Sequence, residues 1–141
     1  MAYVDTSVLV ALIVLEPHSA AVARWYGRSR AALVLADQCV TEFASALGIK
    51  QRRDQLTATQ AQNAWQRFER LIANGLAMLP SATANFHRAA ALALDASTAL
   101  CAGDALHLAC AEQVGAKSMA TLDAALGRNA QRLKIKPVVF L

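Results

Sequence analysis

The chain begins with the stretch Met1–Leu15, MAYVDTSVLVALIVL, on which the fold prediction depends. The apolar residues Ala2–Val4 predict a short buried strand that ends at Asp5. The polar residues Asp5–Ser7 then predict a turn into a helix that begins near Ser7 and runs to about Leu15, because Asp and Ser are favoured helix caps. A buried strand followed directly by a helix is the start of a parallel α/β sheet.

The same alternation of strands and helices continues to the end of the chain. Four more apolar runs predict strands: Ala31–Leu35, Leu76–Leu79, Lys117–Thr121 and Pro137–Leu141. Between them, periodic segments predict helices: Ser19–Arg28, Thr41–Arg53, Thr57–Asn74, Phe86–Leu94, Gly103–Val114 and Asp123–Leu133. Short apolar strands separated by helices predict an α/β fold whose parallel sheet is covered on both faces.

Composition indicates one core-rich domain over residues 1–141. Hydrophobic residues make up 56% of the 141 residues and charged residues 17%, and the net charge of +4 permits an anionic partner such as nucleic acid. The three cysteines, Cys39, Cys101 and Cys110, lack the spacing of a zinc or redox site. This pattern, with no signal peptide and no apolar run long enough for a membrane span, predicts a soluble cytoplasmic protein.

Four acidic residues stand where a parallel sheet places its ligands. Asp5 and Asp123 follow predicted strands, Asp104 begins a helix, and Glu42 lies in the first turn of another helix. Two carboxylates about 5 Å apart repel by roughly 3 kcal/mol at an effective dielectric near 20, and a hard divalent cation such as Mg²⁺ removes this penalty. Taken singly, each acid is also explained as a helix cap or a partner of the helix dipole.

The chain carries four segments around these acids, in the order Val4–Ser7, Thr41–Phe43, Gly103–Ala109 and Ala120–Asp123. It resembles the PIN-domain family, and in particular the VapC-type toxin ribonucleases of bacterial toxin–antitoxin systems. The resemblance implies a PIN-like three-layer α/β/α domain with a central parallel sheet of four to five strands.

The resemblance also implies a chemistry, an endoribonuclease that depends on Mg²⁺ or Mn²⁺ and uses metal-activated water. Asp5, Asp104 and Asp123 would be metal ligands, and Glu42 would hold a metal or orient the attacking water. Family members often carry a further acid shortly after the position of Asp123. The segment Ala124–Gly127 has none, so the expectation is one firm metal site.

Supporting residues and partners follow from the same resemblance. Ser7 and Thr121 would orient the carboxylates, and Thr6 is a weaker candidate for the same role because its side chain can point away. The implied partners are an RNA substrate, a cognate antitoxin and a second copy of the chain, with no membrane. Trp65 and Phe68 are expected to pack in the core, while their region forms an apolar groove for the antitoxin.

Other functions remain open at this point. His107 lies one helical turn after Asp104 and is a weaker ligand candidate. A PIN nuclease that processes RNA without an antitoxin has the same residues. A phosphate-receiving signalling domain also uses Mg²⁺ and acids at strand ends, but it needs adjacent acids where this chain has Asp5 alone. A binding scaffold with an inactive site is the fourth reading.

Overall fold

Five short strands form one parallel sheet in the computed structural model, which describes residues 1–141. The strands are β1 (Ala2–Val4), β2 (Leu33–Ala36), β3 (Ala77–Leu79), β4 (Ser118–Ala120) and β5 (Lys136–Pro137). Their order across the sheet is β3-β2-β1-β4-β5, and every neighbouring pair is parallel. β1 is therefore the central strand, and the carboxyl ends of β1 and β4 lie side by side.

Seven α-helices connect the strands, because parallel neighbours need long crossovers. They are α1 (Thr6–Ile13), α2 (Ser19–Arg28), α3 (Gln38–Arg52), α4 (Ala58–Asn74), α5 (Thr83–Leu94), α6 (Ala102–Gln113) and α7 (Ala124–Arg132). A single 3₁₀ turn, Ala96–Thr98, precedes α6. No helix is long and apolar enough to cross a membrane.

The hydrophobic core is divided into two parts by the sheet. Ala2 and Val4 of β1 pack with buried residues of α1 to α4, whereas Tyr3 packs with those of α5 to α7. Successive residues of a strand point to opposite faces, so the apolar run of β1 is buried on both sides. The predicted α/β class is confirmed, with helices in layers above and below a parallel sheet of five strands.

Most predicted elements occur in the structure, and two of their boundaries were wrong in ways that matter. α3 begins at Gln38 and not at Thr41, so Glu42 lies in the second helical turn. The predicted closing strand Pro137–Leu141 ends at Pro137. After it, Val138 still donates its N–H to the carbonyl of Met119 in β4 at 2.8 Å, and Phe140 packs edge-on against Trp25 with ring centroids 5.5 Å apart.

Candidate active site

The central carboxylate is held where β1 and β4 end. Asp5 follows β1 and caps α1, accepting a hydrogen bond from the backbone N–H of Val8 at 3.2 Å. The Ser7 hydroxyl donates to Oδ1 of Asp5 at 2.6 Å, and the Thr121 hydroxyl, from the end of β4, donates to Oδ2. The β1–β4 register pairs Val4 with Ala120, which places Thr121 beside Asp5. The Asp5 carboxylate thus both caps α1 and occupies the centre of the candidate site.

Asp5 is almost fully buried, with only 2% of its surface exposed. Burial raises the pKa of its carboxyl above the ordinary value, although the hydrogen bonds from Ser7 and Thr121 work to lower it. The folded protein then retains a proton that the unfolded chain has already lost. Stability therefore falls as pH rises from the ordinary aspartate value through the raised pKa, and a bound cation would offset this loss.

Glu42 enters the same region from α3 and is half-buried. Its Oε1 accepts the Thr6 hydroxyl at 2.7 Å and lies 2.6 Å from Nε2 of His107. Burial works to raise the pKa of Glu42, but these hydrogen bonds and the nearby His107 outweigh it and hold the pKa below its usual range. Thr6, the weaker candidate among the supporting hydroxyls, does not point away, because its hydroxyl donates to Glu42.

Asp104 and Asp123 complete the acidic group. Asp104 lies in the first turn of α6, where its Oδ2 accepts the Cys101 thiol at 3.2 Å. Burial raises the pKa of Asp104, and the charges of Asp123 and Glu42 add to the rise while the Cys101 hydrogen bond opposes it. Asp123 caps α7 by accepting the N–H of Leu126 at 2.8 Å. The acids are thus close enough to repel each other.

All four acids line one open cleft with a volume of about 630 Å³. Two basic side chains, Lys50 and Arg53, line its rim together with His18. Lys50 also pairs with Glu16 at 2.7 Å across the cleft wall. The remaining clusters of arginines in the sequence, Arg24 with Arg28 and Arg30, and Arg67 with Arg70, do not line this cleft. The fold therefore brings the acids together and only part of the basic residues with them.

Comparison with known proteins gives this architecture a family. The family model of the PIN domain matches residues 2–131, nearly the whole chain. The chain belongs to the PIN-domain family. No curated protein matches this PIN domain by sequence.

Three solved structures share the fold at low sequence identity. VapC20 of Mycobacterium tuberculosis, a sarcin–ricin loop cleaving toxin, has 13% identity and a TM-score of 0.74 over 92% of this chain and 95% of that chain. FitAcB from Neisseria gonorrhoeae has 19% identity and a TM-score of 0.73 over 99% and 97%. PAE2754 from Pyrobaculum aerophilum has 20% identity and a TM-score of 0.69 over 97% and 83%.

A second group of potential ligands lies beside the acids of this PIN domain. The Cys39 thiol, the Glu42 carboxylate and an imidazole nitrogen of His107 lie within 4.8 Å of one another. Burial raises the pKa of the Cys39 thiol to about 12, so it keeps its proton, and its Sγ lies 3.4 Å from Oγ1 of Thr6. A protonated thiol is a poor metal ligand, which leaves the oxygen-rich acids as the better site.

His107 is the residue whose place the sequence pattern did not reveal. Its ring is 2% exposed, and it bridges Glu42 and the Tyr3 hydroxyl. The one available signal was its spacing of one helical turn from Asp104. That spacing places it on the same helix face but does not identify partners in β1 and α3.

Gly103 offers a direct test of how tightly Glu42 is held. A Cβ at this position would stand 2.9 Å from Oε2 of Glu42, whose other oxygen is tied by two hydrogen bonds. We expect Gly103→Ala to displace Glu42 and to lower any catalytic rate by about 10–100-fold. Stability should change little, because the helix preference of Ala over Gly, about 1 kcal/mol, offsets part of the cost of moving Glu42.

The measurement compares nuclease turnover with the midpoint of urea unfolding. Gly27→Ala on α2 is the matched control, because nothing lies within 4 Å of a Cβ there. Full activity in Gly103→Ala would show that Glu42 can move without consequence.

Proposed function

We propose that this PIN domain is a metal-dependent endoribonuclease that acts as the toxin of a toxin–antitoxin pair. Residues 1–141 would act as one domain. The observation that carries the proposal is the convergence of Asp5, Glu42, Asp104 and Asp123 on one cleft. The PIN-domain match and the likeness in fold to the toxin VapC20 support the same conclusion.

The donors in the cleft fit a hard divalent cation. They are carboxylate oxygens, and the pKa values of Asp5 and Asp104 are raised by burial, in Asp104 also by neighbouring acids. Asp5, Asp104 and Asp123 would hold Mg²⁺ or Mn²⁺. When bound, such an ion supplies an activated water and neutralises charge on a phosphodiester under attack.

The chain's own residues would order the site around that chemistry. Ser7 and Thr121 hold the two oxygens of Asp5 in fixed directions. Ser7 also accepts the N–H of Leu122 at 3.0 Å, so the loop that carries Asp123 is tied to α1. Glu42 would orient the attacking water or share the cation. Fixed ligand directions of this kind raise affinity and activity in metal sites.

The positive side of the cleft fits a polyanion. Lys50 and Arg53 lie at the far end of α3 from Glu42 and line the same cleft. An RNA strand across the acids would meet these cations with its phosphates, and backbone neutralisation supplies most non-specific affinity. RNA is therefore the substrate class that we propose.

The proposed protein partners are a cognate antitoxin and a second copy of the chain. A second depression of about 410 Å³ lies between α1, α2 and α4 and is lined in part by Leu12, Tyr26 and Leu71 with Arg67 and Arg70. Apolar side chains beside two arginines fit an amphipathic segment with acidic residues. A neighbouring gene for a small DNA-binding protein would favour this toxin reading over an RNA-processing PIN nuclease without antitoxin.

Metal removal tests the proposed reaction. We expect the purified chain to cut RNA with Mg²⁺ or Mn²⁺. Cleavage should slow by at least about 100-fold in EDTA, because the bound ion lowers the activation barrier by several kcal/mol. Restored Mg²⁺ should recover the rate. Attack by water should leave no 2′,3′-cyclic phosphate, which end-labelling and mass spectrometry would detect. Metal-independent cleavage with cyclic ends would contradict the proposal.

A further inference from the structure

A chain of buried hydrogen bonds leads from the central strand to Glu42. The Tyr3 hydroxyl lies 2.8 Å from Nδ1 of His107, and Nε2 of the same ring lies 2.6 Å from Oε1 of Glu42. Tyr3 is 0% exposed and its ring meets the imidazole edge-on, with centroids 5.7 Å apart. The imidazole is therefore confined by packing and bonded at both nitrogens.

The chemistry of the partners sets the direction of these bonds. A carboxylate only accepts, so Nε2 of His107 must carry the proton that lies between it and Glu42. Burial raises the pKa of Tyr3 far above its ordinary value, so its hydroxyl stays neutral. A neutral hydroxyl can donate to Nδ1 or accept from it, so Tyr3 satisfies that nitrogen whether or not the ring is charged.

The consequence falls on the two oxygens of Glu42. The Thr6 hydroxyl and Nε2 of His107 both bind Oε1, and no protein group donates to Oε2. Oε2 lies against Gly103. Any side chain at that position would crowd it, because a Cβ there would stand 2.9 Å from Oε2. One oxygen is thus anchored, and the other has no protein donor.

We propose that Tyr3 and His107 are positioning residues, which hold Glu42 by Oε1 and leave Oε2 free to meet a water or a cation. The hydrogen bonds themselves are the evidence that Glu42 is held. The effect of this hold on catalysis rests on the proposed nuclease function. Neither side chain touches substrate. His107 acts through Glu42, and Tyr3 acts through His107.

Three variants and a control separate this role from simple packing. His107→Leu removes the donor, His107→Gln keeps an N–H near the place of Nε2, and Tyr3→Phe removes only the hydroxyl. We expect His107→Leu to lower kcat on RNA by about 10–100-fold with little change in KM, and His107→Gln to recover much of it. His87→Gln, on exposed α5, should behave as wild type.

Two further readouts do not depend on RNA cleavage. NMR of the wild-type chain labelled with ¹⁵N-histidine should show a proton on Nε2 of His107 that exchanges slowly with water. Titration with Mn²⁺ should show affinity about 10-fold weaker in His107→Leu, with partial recovery in His107→Gln. Tyr3→Phe should speed the exchange of the Nε2 proton, since the ring then loses its second anchor.

The outcomes distinguish this proposal from the nuclease proposal. A wild type that cuts no RNA would end the nuclease proposal, while NMR and Mn²⁺ affinity would still test the hold on Glu42. An unprotonated Nε2, or His107→Leu with wild-type kcat and Mn²⁺ affinity, would overturn the positioning role. So would equal losses in both His107 variants that match their unfolded fractions in urea titrations.

Discussion

Asp5→Asn should reduce metal-dependent RNA cleavage by roughly 1,000-fold or more while the chain stays folded. Asn has the size of Asp and can still cap α1, but it loses the charge that a cation needs. Its amide N–H₂ would also face the Ser7 or Thr121 hydroxyl, each of which donates to Asp5 in the native site. The measurement is turnover on RNA, paired with circular dichroism and an unfolding curve.

Asp95→Asn is the matched control for the same change of charge. Asp95 is exposed and caps the 3₁₀ turn through the N–H of Ser97, a role that Asn also fills. In cells, expression of the wild type and of Asp95→Asn should arrest growth, and Asp5→Asn should relieve the arrest. A folded Asp5→Asn chain that arrests growth and cuts RNA at the wild-type rate would refute the assignment of Asp5.

The largest expected loss of stability is at Phe68 on α4. Its ring is fully buried and stacks on the ring of Phe43, with centroids 4.4 Å apart. The centroid of the Trp65 ring lies 5.2 Å from that of Phe68. Phe68→Ala should lower the free energy of unfolding by about 3–5 kcal/mol, through lost burial and the cavity left behind. Small domains have only about 5–15 kcal/mol in total, so this change alone approaches the limit for folding.

Urea unfolding measures this prediction, and Phe86→Ala is its control. Phe86 is 55% exposed on α5, so its removal should change the free energy of unfolding by only about 0.5 kcal/mol. Phe68 lies outside the acidic cleft, and the folded fraction of Phe68→Ala should therefore keep its turnover per molecule. Equal stability losses at the two positions would show that the aromatic stack contributes little.

The sequence predicted helices and strands well where the signal that determines them lies within the segment itself. Thr57 and Gln60 form the capping box expected at the start of α4. The buried run of β1 was predicted because every residue in it is apolar, as a strand covered on both faces requires. The start of α3 was misplaced, because Thr41 resembles a cap and the three residues before it give no helical signal of their own.

The acids show what sequence alone determined about this protein and what it did not. Residue type and flanking pattern identified Asp5, Glu42, Asp104 and Asp123 as candidates, since these features are local to each segment. Their meeting in one cleft depends on the strand order that sets β1 beside β4 and on the packing of α3 and α6 near Asp5. The bonds from His107 to Glu42 and Tyr3 join residues 65 and 104 positions apart, and only tertiary packing could select those partners.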